Sequence, residues 1–561
     1  MRFPIAVLHI CMLAVATPIA SASASTQSAA VDQLFERWDH PDTPGMTVAI
    51  LRDGVPLYVR GYGMASVELG DPNGPNIVYP LASNSKQFTA FAVQLLAAEG
   101  RLSLADDVRK FVPELHDFGT PITLDMLIHH TSGLREVVSL LDLEGHAPED
   151  AASREHALDI LVRQRALNFV PGSHYIYSNS NYLLLGYVVE RVSGISLAEF
   201  WRRYIFQPLG MGSTSSSGQP MPIIPHRAYG YGRGTDGRYV PRTTPDALLG
   251  PTGVNSTVGD LAKWLANYDD PKIGGRAVVD AMLKPGTLSD GTPITYASGL
   301  HREHYRGLEF IEHSGVNWGY KTDIIRFPAQ HFSVIILANA DDSEPPQLAL
   351  QIADIYLKDQ FPSGKPRPSP ITMPVAVDRY VGTYEVAAGT TLAAPGRQYT
   401  FRKEDFVGDG ATLIAFSDAD FFRKADGFRV HFTVEPGEGS AERAIIHDPS
   451  GDDFVARRVI ASPALLPPDR SSFASLAGFY WSRELNIMYT IDFRDGKLWL
   501  RYPRGEMELS PLFRDVFEWR HLFTDHLTFI RDPRGTVTGF FLTENNQRVT
   551  DLKFMKVEFD Q

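Results

Sequence analysis

The sequence predicts an α+β domain followed by two small antiparallel β-barrels. Three observations carry that expectation. Strand signals open and close the stretch from about residue 30 to 360, with helical periodicity between them. A segment with five prolines, Phe361 to Pro374, then interrupts the chain. Beyond it helical periodicity almost disappears, and short runs of Val, Phe, Tyr and Thr alternate with Gly/Asp turns.

The elements follow in order. Arg2 and the mostly apolar run Ile5 to Ile19 read as a secretory leader too short to span a membrane, and Ala20-Ser21-Ala22-Ser23-Ala24 offers cleavage after Ala22 or Ala24. Met46 to Leu51 and Val55 to Tyr62 are strand runs joined by the turn Asp53-Gly54. Ser83 to Ala98 reads as a helix, with Phe88, Phe91, Leu95 and Leu96 near a 3.6 spacing and Gly100 as its stop. Further helices are expected at Leu124 to His130, Ala157 to Gln164 and Tyr182 to Val192. Strands are expected at Leu308 to Glu312, Thr322 to Phe327 and Ser333 to Ala338, with Pro328 in a turn. A second linker, Ala461 to Pro468, separates two segments that open alike: Tyr380-Val381-Gly382-Thr383-Tyr384 and Leu476-Ala477-Gly478-Phe479-Tyr480. The domains expected are a leader at 1–24, a catalytic region at 25–362, and β-barrels at 375–460 and 470–561. A proline-rich linker passes few contacts, so the catalytic region is expected to stand on its own core.

Composition narrows function. The chain of 561 residues is 43% apolar and 21% charged, and 53 basic against 66 acidic side chains leave a net charge of −13. No basic run provides a nucleic-acid footprint. The single cysteine, Cys11, lies in the leader, so the exported protein needs no disulfides and cannot use thiol chemistry. A periplasmic or secreted protein without a stable membrane anchor is expected.

Three short motifs could carry chemistry. Ser83-Asn84-Ser85-Lys86 puts a hydroxyl and an ammonium on one helical face at the helix start, where a lysine can take the serine proton. Taken alone, it reads equally as a capping serine and a solvated lysine. Tyr177-Ser178-Asn179 follows the turn Pro171-Gly172 and offers a phenol whose ionisation a nearby cation would favour, together with a donor and acceptor in Asn179. His313-Ser314-Gly315 ends a strand, where the glycine admits close approach of a substrate backbone and the histidine supplies a donor or a pH-sensitive charge.

Together, in this order, the motifs resemble those of the serine β-lactamase and penicillin-binding-protein superfamily. Leu81-Ala82-Ser83-Asn84-Ser85-Lys86-Gln87-Phe88-Thr89 looks like the nucleophile helix of its class C β-lactamase-related group. Leu127-Ile128-His129-His130-Thr131-Ser132-Gly133-Leu134 resembles that group's "LLTHTSGL" stretch, and Pro171-Gly172 to Gly186 resembles its "PG..F.YSN.GY.LLG" stretch. The resemblance covers about residues 30 to 360 and implies a β-lactamase-like domain, an antiparallel sheet flanked by helices. It implies Ser83 as nucleophile, Lys86 and Tyr177 sharing the proton work, and an oxyanion hole from the backbone N–H of Ser83 and Val316. Asn179, His313 and Gly315 would bind substrate, and no cofactor is required. His313 stands where β-lactamases carry lysine, which argues against strong penicillin hydrolysis. D-aminopeptidases share the three-domain plan, so the expected substrates are small molecules or peptides of D-amino-acid type. A small-ester esterase, a weak β-lactamase and a non-catalytic binding protein are the alternatives.

Two look-alike motifs do not fit. Gly232 to Gly237 matches G-x-G-x-x-G, yet no strand leads in and no helix follows. His301, Glu303 and His304 lack the spacing of a zinc helix, and no metal site is expected. The absence of G-x-S-x-G argues against an α/β-hydrolase.

Overall fold

The computed structural model describes residues 19–147, 149–150, 152–218, 222–242, 248–362, 377–386, 398–406, 413–415, 419–423, 429–434, 439–447, 453–458, 469–520, 524–544 and 548–558. Both linker segments lie outside these residues, apart from Phe361 and Pro362. The catalytic region is built on six antiparallel strands: β1 (Met46–Arg52), β2 (Val55–Tyr62), β3 (His301–Tyr305), β4 (Leu308–Asn317), β5 (Tyr320–Phe327) and β6 (Phe332–Ala338). They lie side by side in the order β3-β4-β5-β6-β1-β2, so the two ends of the region share one sheet. Asp53 and Gly54 both take positive φ, 53° and 73°, as a tight hairpin turn requires.

β1 is buried along almost its whole length because both of its faces are covered, and its one polar interior side chain, Thr47, is hydrogen-bonded to the Gly74 carbonyl and Tyr79 Oη. Met46, Val48 and Ile50 join a core under α1 (Ile19–Phe35) and the late helix Pro345–Tyr356. Ala49 and Leu51 face the other way, into the main core. That core holds α2 (Lys86–Ala98), α3 (Leu124–Ile128), α4 (Val137–Glu144), α5 (Arg154–Val162) and α6 (Asn179–Ser193). Two expected boundaries move. A tighter 3-10 turn, Ala82–Ser85, precedes α2, so Ser83 sits ahead of the α-helix. β4 runs on to Asn317, so His313 to Gly315 are interior strand residues and not a strand end. No helix among the described residues is long and apolar enough to cross a membrane.

After the catalytic region come two β-modules. The second is a closed eight-stranded barrel, from Gly478–Ser482 to Leu552–Val557. The first forms a seven-stranded antiparallel sheet among the described residues. Their shared opening word has one structural meaning. Tyr384 Oη donates to the Tyr380 carbonyl at 3.1 Å, and Tyr480 Oη to the Leu476 carbonyl at 2.5 Å, each four residues back. Gly382 and Gly478 take φ of 155° and 148°, which a side chain would resist.

The catalytic region does not stand on its own core. One apolar cluster runs from Ala49 through to Phe554 and includes barrel residues such as Leu485, Tyr489 and Trp519. Arg135, fully buried, pairs with Glu484 of the barrel at 2.7 Å and donates to the carbonyls of Thr550 and Asp551. Tyr489 Oη donates to the Leu143 carbonyl at 2.7 Å, and Arg504 pairs with Asp142. The linker was the wrong place to judge isolation: chain distant from it folds back and supplies the contacts.

Candidate active site

The 3-10 turn Ala82–Ser85 rests against β4 and β5. Asn84 Nδ2 donates to Thr322 Oγ1 at 3.0 Å, and Thr322 Oγ1 donates to the Leu81 carbonyl at 3.0 Å. Ala82 takes φ of 48°, a rare conformation for a side-chain-bearing residue, directly before Ser83. Gly315 explains how the turn fits. A Cβ there would lie 2.3 Å from the Leu81 carbonyl oxygen and 2.4 Å from Thr322 Oγ1. The structure thus gives Gly315 a packing reason, seating the serine turn on the strand. The next residue, Val316, is 67% exposed.

Lys86 is fully buried, and its Nζ donates to Ser83 Oγ at 3.0 Å, Asn179 Oδ1 at 2.7 Å and the Pro251 carbonyl at 3.1 Å. It also stands 4.8 Å from the centre of the Tyr177 ring. Serine and lysine from one segment and tyrosine and asparagine from another therefore meet. Removal from water pushes the Tyr177 phenol above its ordinary range, outweighing the hydrogen bond with Ser83 and the charge of Arg548, which act downwards. The expectation that a neighbouring cation leaves this phenol easily ionised is corrected: burial is the larger effect.

Asn179 opens α6, three residues before the expected start. Its carboxamide bridges Lys86 and Glu136, with Nδ2 donating to Glu136 Oε1 at 2.8 Å, while its backbone N–H donates to Glu136 Oε2 at 2.5 Å. In this arrangement Asn179 positions Lys86, and only part of its donor capacity is left for substrate. Glu136, 1% exposed and the cap of α4, is a site residue the sequence reading missed. Its one signal was its place just after the Thr131 to Leu134 stretch.

His313 is buried and neutral. Nδ1 donates to the Ser314 carbonyl at 2.6 Å, which leaves Nε2 to accept from Tyr296 Oη at 3.1 Å. Burial, His301 and Lys86 hold its pKa well below the usual imidazole range. The pH-sensitive charge expected here is not what the fold builds, because burial and the charges of His301 and Lys86 disfavour an imidazolium. Its ring lies 6.0 Å from that of Tyr177. His130, also pushed well below by burial, accepts from the Ser178 N–H at 3.1 Å and packs 4.4 Å from the Tyr177 ring, so it shapes the tyrosine loop. The Gly232 to Gly237 stretch begins inside a short strand, Tyr231–Arg233, so a strand does lead in where none was expected; it turns back into the strand Tyr239–Pro241 and not into a helix. The sequence reading missed a further group: Glu144, His146 and His156 bring ligand-type atoms within 4.8 Å of one another, and Arg163 pairs with Glu144 at 2.9 Å.

The family described as Beta-lactamase matches residues 31–357. The chain belongs to the β-lactamase family. Penicillin-binding protein 4* of Bacillus subtilis (strain 168) is 29% identical over 448 residues, 76% of this chain and 97% of that relative. A D-aminopeptidase of Gluconobacter oxydans (strain 621H) is 28% identical over 296 residues, 53% of this chain and 56% of that protein, so that match spans about half of each. Among solved structures, the octameric penicillin-binding protein homologue from Pyrococcus abyssi superposes with a TM-score of 0.52 at 21% identity, over 87% of this chain and 100% of that one. At that identity the likeness shows the fold. Family and relatives together make this β-lactamase-family chain a serine hydrolase.

Proposed function

We propose that the enzyme hydrolyses amide or peptide bonds of D-amino-acid-type substrates through an acyl-enzyme on Ser83. The observation that supports this reading best is the convergence of Ser83 Oγ, Lys86 Nζ and Tyr177 around one hydroxyl. Ser83 Oγ bonds to the carbonyl carbon as Lys86, in its free-amine form, gives up the hydrogen bond it donates to Oγ and takes the serine proton on its own lone pair, with the Tyr177 hydroxyl relaying it. The C–N bond then breaks as that proton is returned to the leaving amine, and water releases the acid. The N–H of Ser83, in the first turn of a 3-10 helix, and that of Val316 would hold the developing oxyanion. Asn179 keeps Lys86 in place, and His313 lines the cleft as a neutral wall. The relatives that include a D-aminopeptidase favour the D-amino-acid class. The lack of a lysine at position 313 favours amides and esters over penicillins. Ser83→Ala is expected to lower kcat by about 10⁶-fold with the fold intact. A folded variant with near-normal turnover, or wild-type protein that an uncharged fluorophosphonate does not label at Ser83, would reject the proposal.

The reading extends to location. The apolar leader and the absence of cysteine after Cys11 support export, with a mature chain beginning at Ser23 or Ser25. Intact-mass measurement on protein secreted by its host is expected to give one of those starts; retained Met1 would contradict it.

A further inference from the structure

Three ligand-type side chains converge where α4 gives way to α5, away from the serine cleft. Glu144 ends α4, and Gly145 takes φ of 114° and reverses the chain, so that His146 returns along the helix end. The N–H groups of Gly145 and His146 both donate to the Leu141 carbonyl, at 3.1 and 2.9 Å, which fixes that reversal. His156 lies in the first turn of α5, where its backbone N–H donates to the capping Ser153 Oγ at 3.1 Å. Glu144 Oε2 thereby stands 2.5 Å from His156 Nε2 and 3.5 Å from His146 Nε2. The other carboxylate oxygen, Oε1, is held by Arg163 at 2.9 Å, and Asp159 stands 3.6 Å from that guanidinium and offsets its charge. The two imidazoles are 33% and 35% exposed, so an ion and its water can reach them.

We infer that Glu144, His146 and His156 form a binding site for a divalent transition-metal ion of zinc type. The donor set decides the class: imidazole nitrogens suit zinc and its neighbours, whereas magnesium and calcium call for oxygen ligands. An ion bound at about 2.0–2.1 Å spaces tetrahedral ligands about 3.3 Å apart. The Glu144–His146 distance already matches that spacing. The closer Glu144–His156 pair has to open by about 0.8 Å, as the proton between the two atoms passes to solvent and the ion takes its place. Arg163, on the outer carboxylate oxygen, orients Glu144 towards the ion, and water completes the fourth position. The bound ion staples the end of one helix to the start of the next beside the docked barrel. A Cβ on Gly145 would lie 2.6 Å from Pro503 Cβ, and the Leu143 carbonyl accepts from Tyr489 Oη at 2.7 Å. The eight residues of α4, about 12 Å of helix, separate this cluster from Glu136, so its role is structural and independent of the substrate proposed for Ser83.

The test uses full-length protein stripped with EDTA, dialysed, and titrated with zinc chloride by isothermal calorimetry, with magnesium chloride as the control. Wild type is expected to bind one zinc with a Kd below about 10 μM and to leave magnesium unbound at that concentration. His146→Ala and His156→Ala are each expected to weaken zinc by over ~100-fold, beyond the loss that an outer-shell partner alone would cause. Cobalt(II) in place of zinc should give the visible absorption of a four- or five-coordinate ion, which both variants lose. No stoichiometric zinc uptake by wild type, equal binding of magnesium, or unchanged zinc affinity in either variant would overturn the site. A measurement on wild type alone covers a variant that does not fold: zinc should shield His146 and His156 from diethyl pyrocarbonate, read by peptide mass, and equal modification with and without zinc would reject the proposal.

Discussion

The two β-modules begin with the same five-residue device and end in different relations to the catalytic region. In the first, the buried core draws, among the described residues, on Val377 to Ala456 alone. Its Arg458 ties local chain together, donating to the carbonyls of Arg379, Val381 and Ala441. In the second, the core is continuous with that of the catalytic region, and the corresponding service is performed across the boundary by Arg135. Repetition of a module therefore says nothing about docking. A module is absorbed where its surface completes another domain's core and satisfies that domain's buried polar groups.

The sharpest way to break this comparison is to remove one arginine from each side. Arg135→Met leaves Glu484 buried without its cation, at a cost of about 3–5 kcal/mol. It is expected to lower the main thermal transition and activity together, since the next residue, Glu136, holds Asn179 and the Arg548 turn. Arg458→Met is expected to loosen the first module while kcat/KM stays near wild type. Calorimetry and kinetics on both variants check this; equal effects on activity would show that the two modules are equally coupled.

A smaller effect comes from pH. Burial pushes the Glu544 carboxyl up to about 8, against a hydrogen bond from Ser139 and the charge of Arg548, with Glu136 and Asp142 adding to the rise. A carboxyl with a raised folded-state pKa contributes stability that is present below its unfolded value near 4.5 and is lost as pH rises through 8. The docked barrel should therefore weaken across that window, and Glu544→Gln should remove the trend and be the more stable of the two proteins at pH 9. Denaturant unfolding at several pH values measures it; parallel curves for both proteins would refute it.

The smallest effect sharpens the comparison most directly. Tyr480→Phe removes the hydrogen bond to the Leu476 carbonyl, worth about 1 kcal/mol, and Tyr384→Phe removes the matching bond to the Tyr380 carbonyl together with the contacts of its hydroxyl with the Ala441 carbonyl and Arg458. Only Tyr480→Phe is expected to move the thermal transition reported by Ser83-dependent activity, because only its barrel shares the catalytic core. An equal shift from Tyr384→Phe would place the first module in the same cooperative unit.

Much of the site was legible because its signals are local. The three-residue spacing of Ser83 and Lys86 puts them on one face whatever surrounds them, and the Asp53-Gly54 turn and the alternating strand residues need no distant partner. Details were displaced where tertiary contacts intervened: the 3-10 turn at Ser83 exists because Leu81 and Asn84 are pinned by Thr322, some 240 residues away.

By itself, the sequence determined which chemical groups this protein brings to a cleft, and that two similar β-modules follow, since motif spacing and hydrophobic period are properties of neighbouring residues. Only the tertiary structure decided what those groups can do. His313 is neutral because burial removes water from its ring, Tyr177 resists ionisation for the same reason, and Gly315 is glycine because the Leu81 carbonyl occupies the space of a side chain. Arg548 reaches the site from the far end of the chain because the barrel completes the catalytic core. Solvation and packing depend on what lies nearby in space, and spacing along the chain does not encode that.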